Sequence, residues 1–91
     1  MQYIYRTSGT CSSQIHIETD ENDVIRRVKY TGGCNGNLQG ISAIVEGMKA
    51  EEVIKKFKGI RCGMKPTSCP DQLARALEQM NNMKKTEETK A

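Results

Sequence analysis

Ninety-one residues and 10.2 kDa leave room for one domain, because a second core could not bury enough apolar surface to stand alone. Apolar residues make up 36% of the chain, aromatics 4%, and tryptophan is absent. The large side chains that dominate burial energy are therefore scarce, and packing alone is a thin source of stability. Fourteen Lys and Arg against eleven Asp and Glu give a net charge of +3, far from the dense basic stripe of a dedicated nucleic-acid binder, so direct nucleic-acid binding is not expected.

The chain opens Met1-Gln2-Tyr3-Ile4-Tyr5-Arg6, without the basic region and apolar stretch of a secretory signal. No run approaches the roughly 20 apolar residues that span a bilayer, so the expectation is a cytoplasmic protein with no membrane partner. Residues 3–7 read as a first strand that ends at the Ser8-Gly9-Thr10 turn. Gln14 to Thr19 alternates Ile15 and Ile17 against His16 and Glu18, a half-buried strand. Asp20-Glu21-Asn22-Asp23 supplies turn chemistry before a third strand over 24–31, which predicts a hairpin. Strict alternation there puts Val24, Arg26, Val28 and Tyr30 on one face, so Arg26 must sit near the sheet edge or extend its charge to water.

After Gly32 and Gly33 the period changes, and Leu38, Ile41, Ile44, Val45 and Met48 recur at helical spacing. Asn35 or Asn37 can cap this helix and Gly47 can end it. A second helix fits 50–58, with Val53, Ile54 and Phe57 inward and Gly59 as the stop. The third is marked by Ser68 as cap, Asp71 three residues on, and Pro70 in the first turn, where its missing N–H is harmless. Leu73, Ala76, Leu77, Met80 and Met83 form its stripe. Residues 1–83 thus read as one α+β domain, a three-stranded antiparallel sheet followed by three helices packed on one face. Residues 84–91 are Lys, Glu and Thr with one alanine and no apolar face, which suggests a disordered charged tail.

Cys11, Cys34, Cys62 and Cys69 all fall at predicted element boundaries, several beside glycine or proline. A cysteine used for packing sits inside an element, so four at boundaries look aimed at a shared point. In a reducing compartment such a set reads as a metal site or reactive thiols before a disulfide framework. Cys34 precedes one predicted helix and Cys69 begins another, and the positive end of a helix favours a thiolate. Four thiolates suit structural zinc, which in small domains contributes on the order of 10 kcal/mol of folding free energy. No Cys-x-x-Cys knuckle occurs, so zinc fingers and ribbons are not matched. A redox pair, Cys62 with Cys69, and four unconnected structural cysteines are the competing readings.

Gly32-Gly33-Cys34-Asn35-Gly36 leads into a helix, and the backbone amides of Gly32, Gly33, Asn35 and Gly36 could cradle a nucleotide phosphate. The Lys-Ser/Thr ending of a P-loop is missing, and a tight turn serving Cys34 is the simpler reading. His16, the single histidine, lies on the polar face of its strand and reads as solvated. Lys and Arg in the second half of the hairpin and in the second helix interleave with carboxylates, a mixed solvated surface.

Thr67-Ser68-Cys69-Pro70-Asp71-Gln72-Leu73 is the signature from which the TSCPD domain family takes its name. The segments Thr31-Gly32-Gly33-Cys34-Asn35-Gly36-Asn37 and Lys58-Gly59-Ile60-Arg61-Cys62-Gly63 also resemble that family's glycine-cysteine segments, so the resemblance runs from Tyr3 to Met80. A similar domain sits at the C-terminus of adenosylcobalamin-dependent ribonucleotide reductases. The resemblance implies an accessory module linked to deoxynucleotide synthesis and DNA replication, partnered by a ribonucleotide reductase or another nucleotide-metabolising enzyme. It also brings a ribonucleoside-diphosphate reductase label within reach. Radical reduction of a ribose, however, needs a cofactor-binding barrel, an enclosed thiyl cysteine and a separate reducing pair, which 91 residues cannot hold, so catalysis by the chain alone is not expected.

Overall fold

A computed structural model describes residues 2–7, 12–33, 35–61 and 63–90, with side chains described except at 35 and 84–90. Three strands come first: β1 (Gln2–Arg6), β2 (Ser12–Thr19) and β3 (Ile25–Gly32). They form one antiparallel sheet in the order β1-β2-β3. Three helices follow, α1 (Asn35–Val45), α2 (Ala50–Phe57) and α3 (Cys69–Lys90), which is the expected α+β arrangement. α1 packs on β3, α3 on β2, and α2 on α3.

The period-2 pattern of β2 drives Ile15 and Ile17 fully into the core, while His16 faces solvent as expected. Tyr3 and Tyr5 pair with Ile17 and Ile15 and pack against the same core. The Tyr3 hydroxyl donates to Gln79 Oε1 at 2.7 Å, which ties the edge strand to α3. From the helices come Val45, Ala50, Val53, Leu73, Ala76, Leu77 and Met80. This is the stripe expected of α3, except that Met83 is 43% exposed.

Two irregularities in the sheet were not legible as alternation. Thr19 pairs with Ile25 and Glu18 with Arg27, so Arg26 is an extra residue on β3. That bulge turns Ile25, rather than Val24 or Arg26, into the core at 0% exposure, and correction of the expected face follows from it. Arg26 instead reaches Asp20 Oδ2 at 2.7 Å in the hairpin turn. The Asp20 carboxylate also accepts from the Asn22 and Val24 amides at 2.8 and 3.0 Å. Those amide bonds, that of Val24 first, together with Arg26 hold its carboxyl below the ordinary value against the opposing effect of desolvation. The second bulge lies at the other end of β2 and shapes the candidate site.

Gly47 (φ +89°) follows α1, and Gly59 (φ +90°) follows α2, both left-handed conformations that spare a glycine the Cβ clash other residues meet. Between the first two helices the chain doubles back onto β3: Ile25 N–H donates to Met48 O at 2.8 Å and Gly47 N–H to Ile25 O at 2.7 Å. On α1 the stripe is narrower than expected. Leu38 and Val45 are buried, but Ile44 is 69% exposed, because it lies about 100° round the helix from Val45 and only the side toward β3 is covered. The helix begins at Asn35, so Asn37 sits inside the first turn rather than capping it. α3 extends through Lys90, beyond the apolar stripe and across 84–90. Lys and Glu are good helix formers, so a run rich in them can prolong a helix without an apolar face.

Candidate functional site

The segment Thr67-Ser68-Cys69-Pro70-Asp71 is a knot of buried polar groups at the start of α3. Ser68 performs the expected cap: its Oγ accepts from the Asp71 amide at 3.1 Å. The same hydroxyl donates to Ile60 O at 2.6 Å, which fastens the preceding loop to the helix start. Asp71, read from the sequence as the other half of a capping box, has a larger role. Only 1% exposed, its carboxylate accepts from Gly59 N–H at 2.7 Å, from the Thr67 hydroxyl, and from Arg75 Nε at 2.9 Å. Gln72 Nε2 donates in turn to Thr67 Oγ1 at 3.0 Å, so the chain of bonds runs Gln72 to Thr67 to Asp71. Burial by itself pushes the Asp71 carboxyl up. The bonds from Thr67 and Gly59, with Arg75 alongside, outweigh it and hold the carboxyl below its ordinary value.

This network fixes Cys69, the first residue of α3 and 8% exposed. Its Sγ lies 3.4 Å from Ser12 Oγ. Its carbonyl accepts from the Tyr30 hydroxyl at 3.1 Å. Burial pushes the Tyr30 hydroxyl far above its ordinary range, the charge of Cys69 adding to the effect, so it stays a neutral donor. Cys69 is thus held from β2, from β3 and by the cap of its own helix.

Cys11, Cys34 and Cys62 lie outside the described residues. Residues close to them in sequence are described. Ser12, next to Cys11, touches the Cys69 sulfur. Gly32, two residues before Cys34, is the cross-strand partner of Ser12. Ile60, two residues before Cys62, is bonded to Ser68, the residue before Cys69. Among the described residues no three His, Cys, Asp or Glu side chains gather in a way that could hold a metal ion.

Of the glycine-loop candidates, Gly32 and Gly33 line an open cleft of about 440 Å³ between β3 and α1, together with Val28, Tyr30, Leu38 and Ser42. Asn35 and Gly36 form the first turn of α1, which carries no acidic residue, and space beside Gly36 is open. The cleft has a mostly apolar wall and the size of small-molecule sites.

Sequence reading did not single out Ser12, Tyr30, Thr67 or Gln72. Ser12 is hidden by the bulge that brings it inward. Thr67 was visible only as part of the signature, and Tyr30 only as a strand residue. A buried cysteine at a helix start, its thiol against β2 and its carbonyl bonded from β3, can serve as a metal ligand or as a redox-active sulfur.

The TSCPD domain model matches residues 3–81 of the chain. No curated protein matches it, and no solved structure does. No helix among the described residues is long and apolar enough to cross a membrane.

Proposed function

The chain belongs to the TSCPD domain family, and from that premise we propose that it is an accessory module built around one zinc ion held by the thiolates of Cys11, Cys34, Cys62 and Cys69. The observation that carries this reading is the contact between Ser12 Oγ and Cys69 Sγ at 3.4 Å, which brings the neighbour of one cysteine onto the sulfur of another. The donor set fits: four thiolates are a complete tetrahedral shell for zinc and leave no open position, as in structural sites. Zinc supplies a crosslink between segments far apart in sequence. Cys69 offers a ligand already fixed by the Ser68 cap and the Tyr30 bond. The module docks onto a ribonucleotide reductase or another nucleotide-metabolising enzyme, a partner class supported by the family's resemblance to the C-terminal domain of adenosylcobalamin-dependent reductases.

Protein purified without chelator is expected to carry one zinc per chain, with all four thiols slow to react while the chain is folded. Metal-free protein with four freely titratable thiols refutes the centre. A reversible disulfide between Cys62 and Cys69 in that preparation would mark the chain instead as a thiol-redox partner of the enzyme.

The cleft between β3 and α1 favours a second reading, nucleotide binding. In it the phosphate meets the amides of Gly32, Gly33, Asn35 and Gly36, and the base lies against Leu38 and Tyr30. Adding a nucleoside triphosphate at millimolar concentration is expected to shift amide resonances within residues 32–40 and leave those of α2 in place. Unchanged spectra exclude this reading.

A further inference from the structure

We propose that the face of the sheet opposite its helices docks a short acidic segment of a protein partner. It supplies a surface for the docking proposed above and stands whether or not the cysteines hold a metal. Alternation sends Ile15, Ile17 and Val28 to the helix side, so the residues between them face the other way. The register lines up one row straight across the three strands: Ile4 pairs with His16, and His16 with Lys29. All three are exposed, Ile4 at 58%. Glu18 and Arg27 lie in the next row toward the hairpin turn, and Arg6 in the row on the other side.

Along the chain these cations interleave with carboxylates, but the fold separates the two. Asp20 and Asp23 go to the hairpin turn, where Asp20 is held by Arg26, and Glu51 and Glu52 go to α2. Arg6, Arg27 and Lys29 remain together on one face, with Glu18 as the one carboxylate among its strand residues. Among the described residues, none of these three cations is in an ion pair. An acidic segment supplies the missing opposite charge, and complementary potentials of this kind fix orientation. The acidic turn beyond Glu18 repels the carboxylates of the segment and directs them toward Lys29 and Arg6. Ile4 adds an apolar contact inside the charged setting, as interface cores do.

Size decides what fits. Strands about 4.8 Å apart, with same-face residues about 7 Å apart along each, make a face of roughly 10 by 14 Å. That is the width of one helix or one extended segment, far below the roughly 800 Å² per partner of a stable interface between domains. Single-stranded nucleic acid is a poorer match, because its bases stack on aromatic rings, and Tyr3, Tyr5 and Tyr30 all pack against the core on the helix side.

The probe is a short synthetic peptide of Glu-Glu-Leu repeats, added to the isotope-labelled full chain. The amide resonances of Ile4, His16, Arg27 and Lys29 are expected to shift together while those of α2 stay in place, and affinity should fall as salt is added. Arg27→Glu combined with Lys29→Glu is expected to weaken binding about 10-fold, two exposed attractions being replaced by repulsions. Lys55→Glu with Lys65→Glu, an equal change of net charge at exposed positions off this face, should leave affinity within about 2-fold of wild type. Melting curves of both variants separate lost binding from lost fold. Equal weakening by the two pairs, or no binding at millimolar peptide, overturns the face as a docking site. A short oligothymidylate that displaces the peptide from the same residues overturns the protein occupant and assigns the face to nucleic acid. None of these readouts depends on the metal content of the chain, so their failure leaves the cysteine centre untouched.

Discussion

Replacing Asp71 by alanine is expected to lower the free energy of unfolding by about 3 kcal/mol, read from denaturant curves at neutral pH. The magnitude comes from the groups left behind. Without the carboxylate, the buried Thr67 hydroxyl loses its acceptor at a cost of about 1 to 3 kcal/mol, while the amide of Gly59, an exposed residue, loses a charge-assisted bond that water replaces in part. Arg75 adds little, because its side chain is 53% exposed and stays hydrated when its partner is removed. Asp71→Asn keeps the shape and one acceptor oxygen and should fall between the two.

The pH dependence has a defined sign. The folded state holds the Asp71 carboxyl below its ordinary value of 3.8, so the unfolded chain takes up its proton first on acidification. The stabilisation is complete above the ordinary value and is lost as pH falls through it toward the lower folded value. Wild type and Asp71→Asn should therefore differ most near neutrality and converge in acid. A gap between them that widens in acid would mean that Asp71 has been assigned the wrong charge state.

On the proposed four-thiolate reading, stripping zinc with a strong chelator is expected to unfold the domain or lower its melting temperature by tens of degrees, with refolding when zinc is returned. Structural zinc contributes on the order of 10 kcal/mol, and a domain of this size has a net stability of about 5 to 15 kcal/mol. Removal therefore withdraws most or all of the margin. The fully buried side chains among the described residues include Ile15, Ile17, Ile25, Leu73, Leu77 and Met80, and the aromatics Tyr3, Tyr5, Tyr30 and Phe57 pack against them only partly buried. Cys69→Ser should reproduce much of the loss. Circular dichroism before and after chelation checks it, and an unchanged melting curve would show that the fold stands on packing alone.

The parts of the fold that follow a simple period were legible. β2 alternates cleanly through Ile15 and Ile17, and α3 carries its stripe at helical spacing, with Ser68 as cap. Gly47 and Gly59 marked the ends of α1 and α2 by their tolerance of positive φ. What alternation could not show was the two bulges. An extra residue shifts the phase of a strand without changing its composition, so Arg26 was placed on the face that Ile25 occupies, and Ser12 was not seen as an inward residue. Ile44 was misplaced for a different reason: an apolar residue shows that a face can be buried, not that anything covers it.

Within the candidate site, Cys69 stood out because a cysteine at a capped helix start is an unusual use of the residue. The roles of Asp71 and Thr67 did not, since local spacing explains a cap and says nothing of Gly59, twelve residues earlier, whose amide Asp71 binds. Tyr30 likewise meets Cys69 only through the tertiary fold, across 39 positions.

The central claim is that four sulfur atoms meet at one metal ion. X-ray absorption at the zinc edge of the native protein measures that shell directly. The expected result is four sulfur ligands at about 2.3 Å with no nitrogen or oxygen among them. A shell dominated by nitrogen or oxygen, or no zinc to measure, contradicts it.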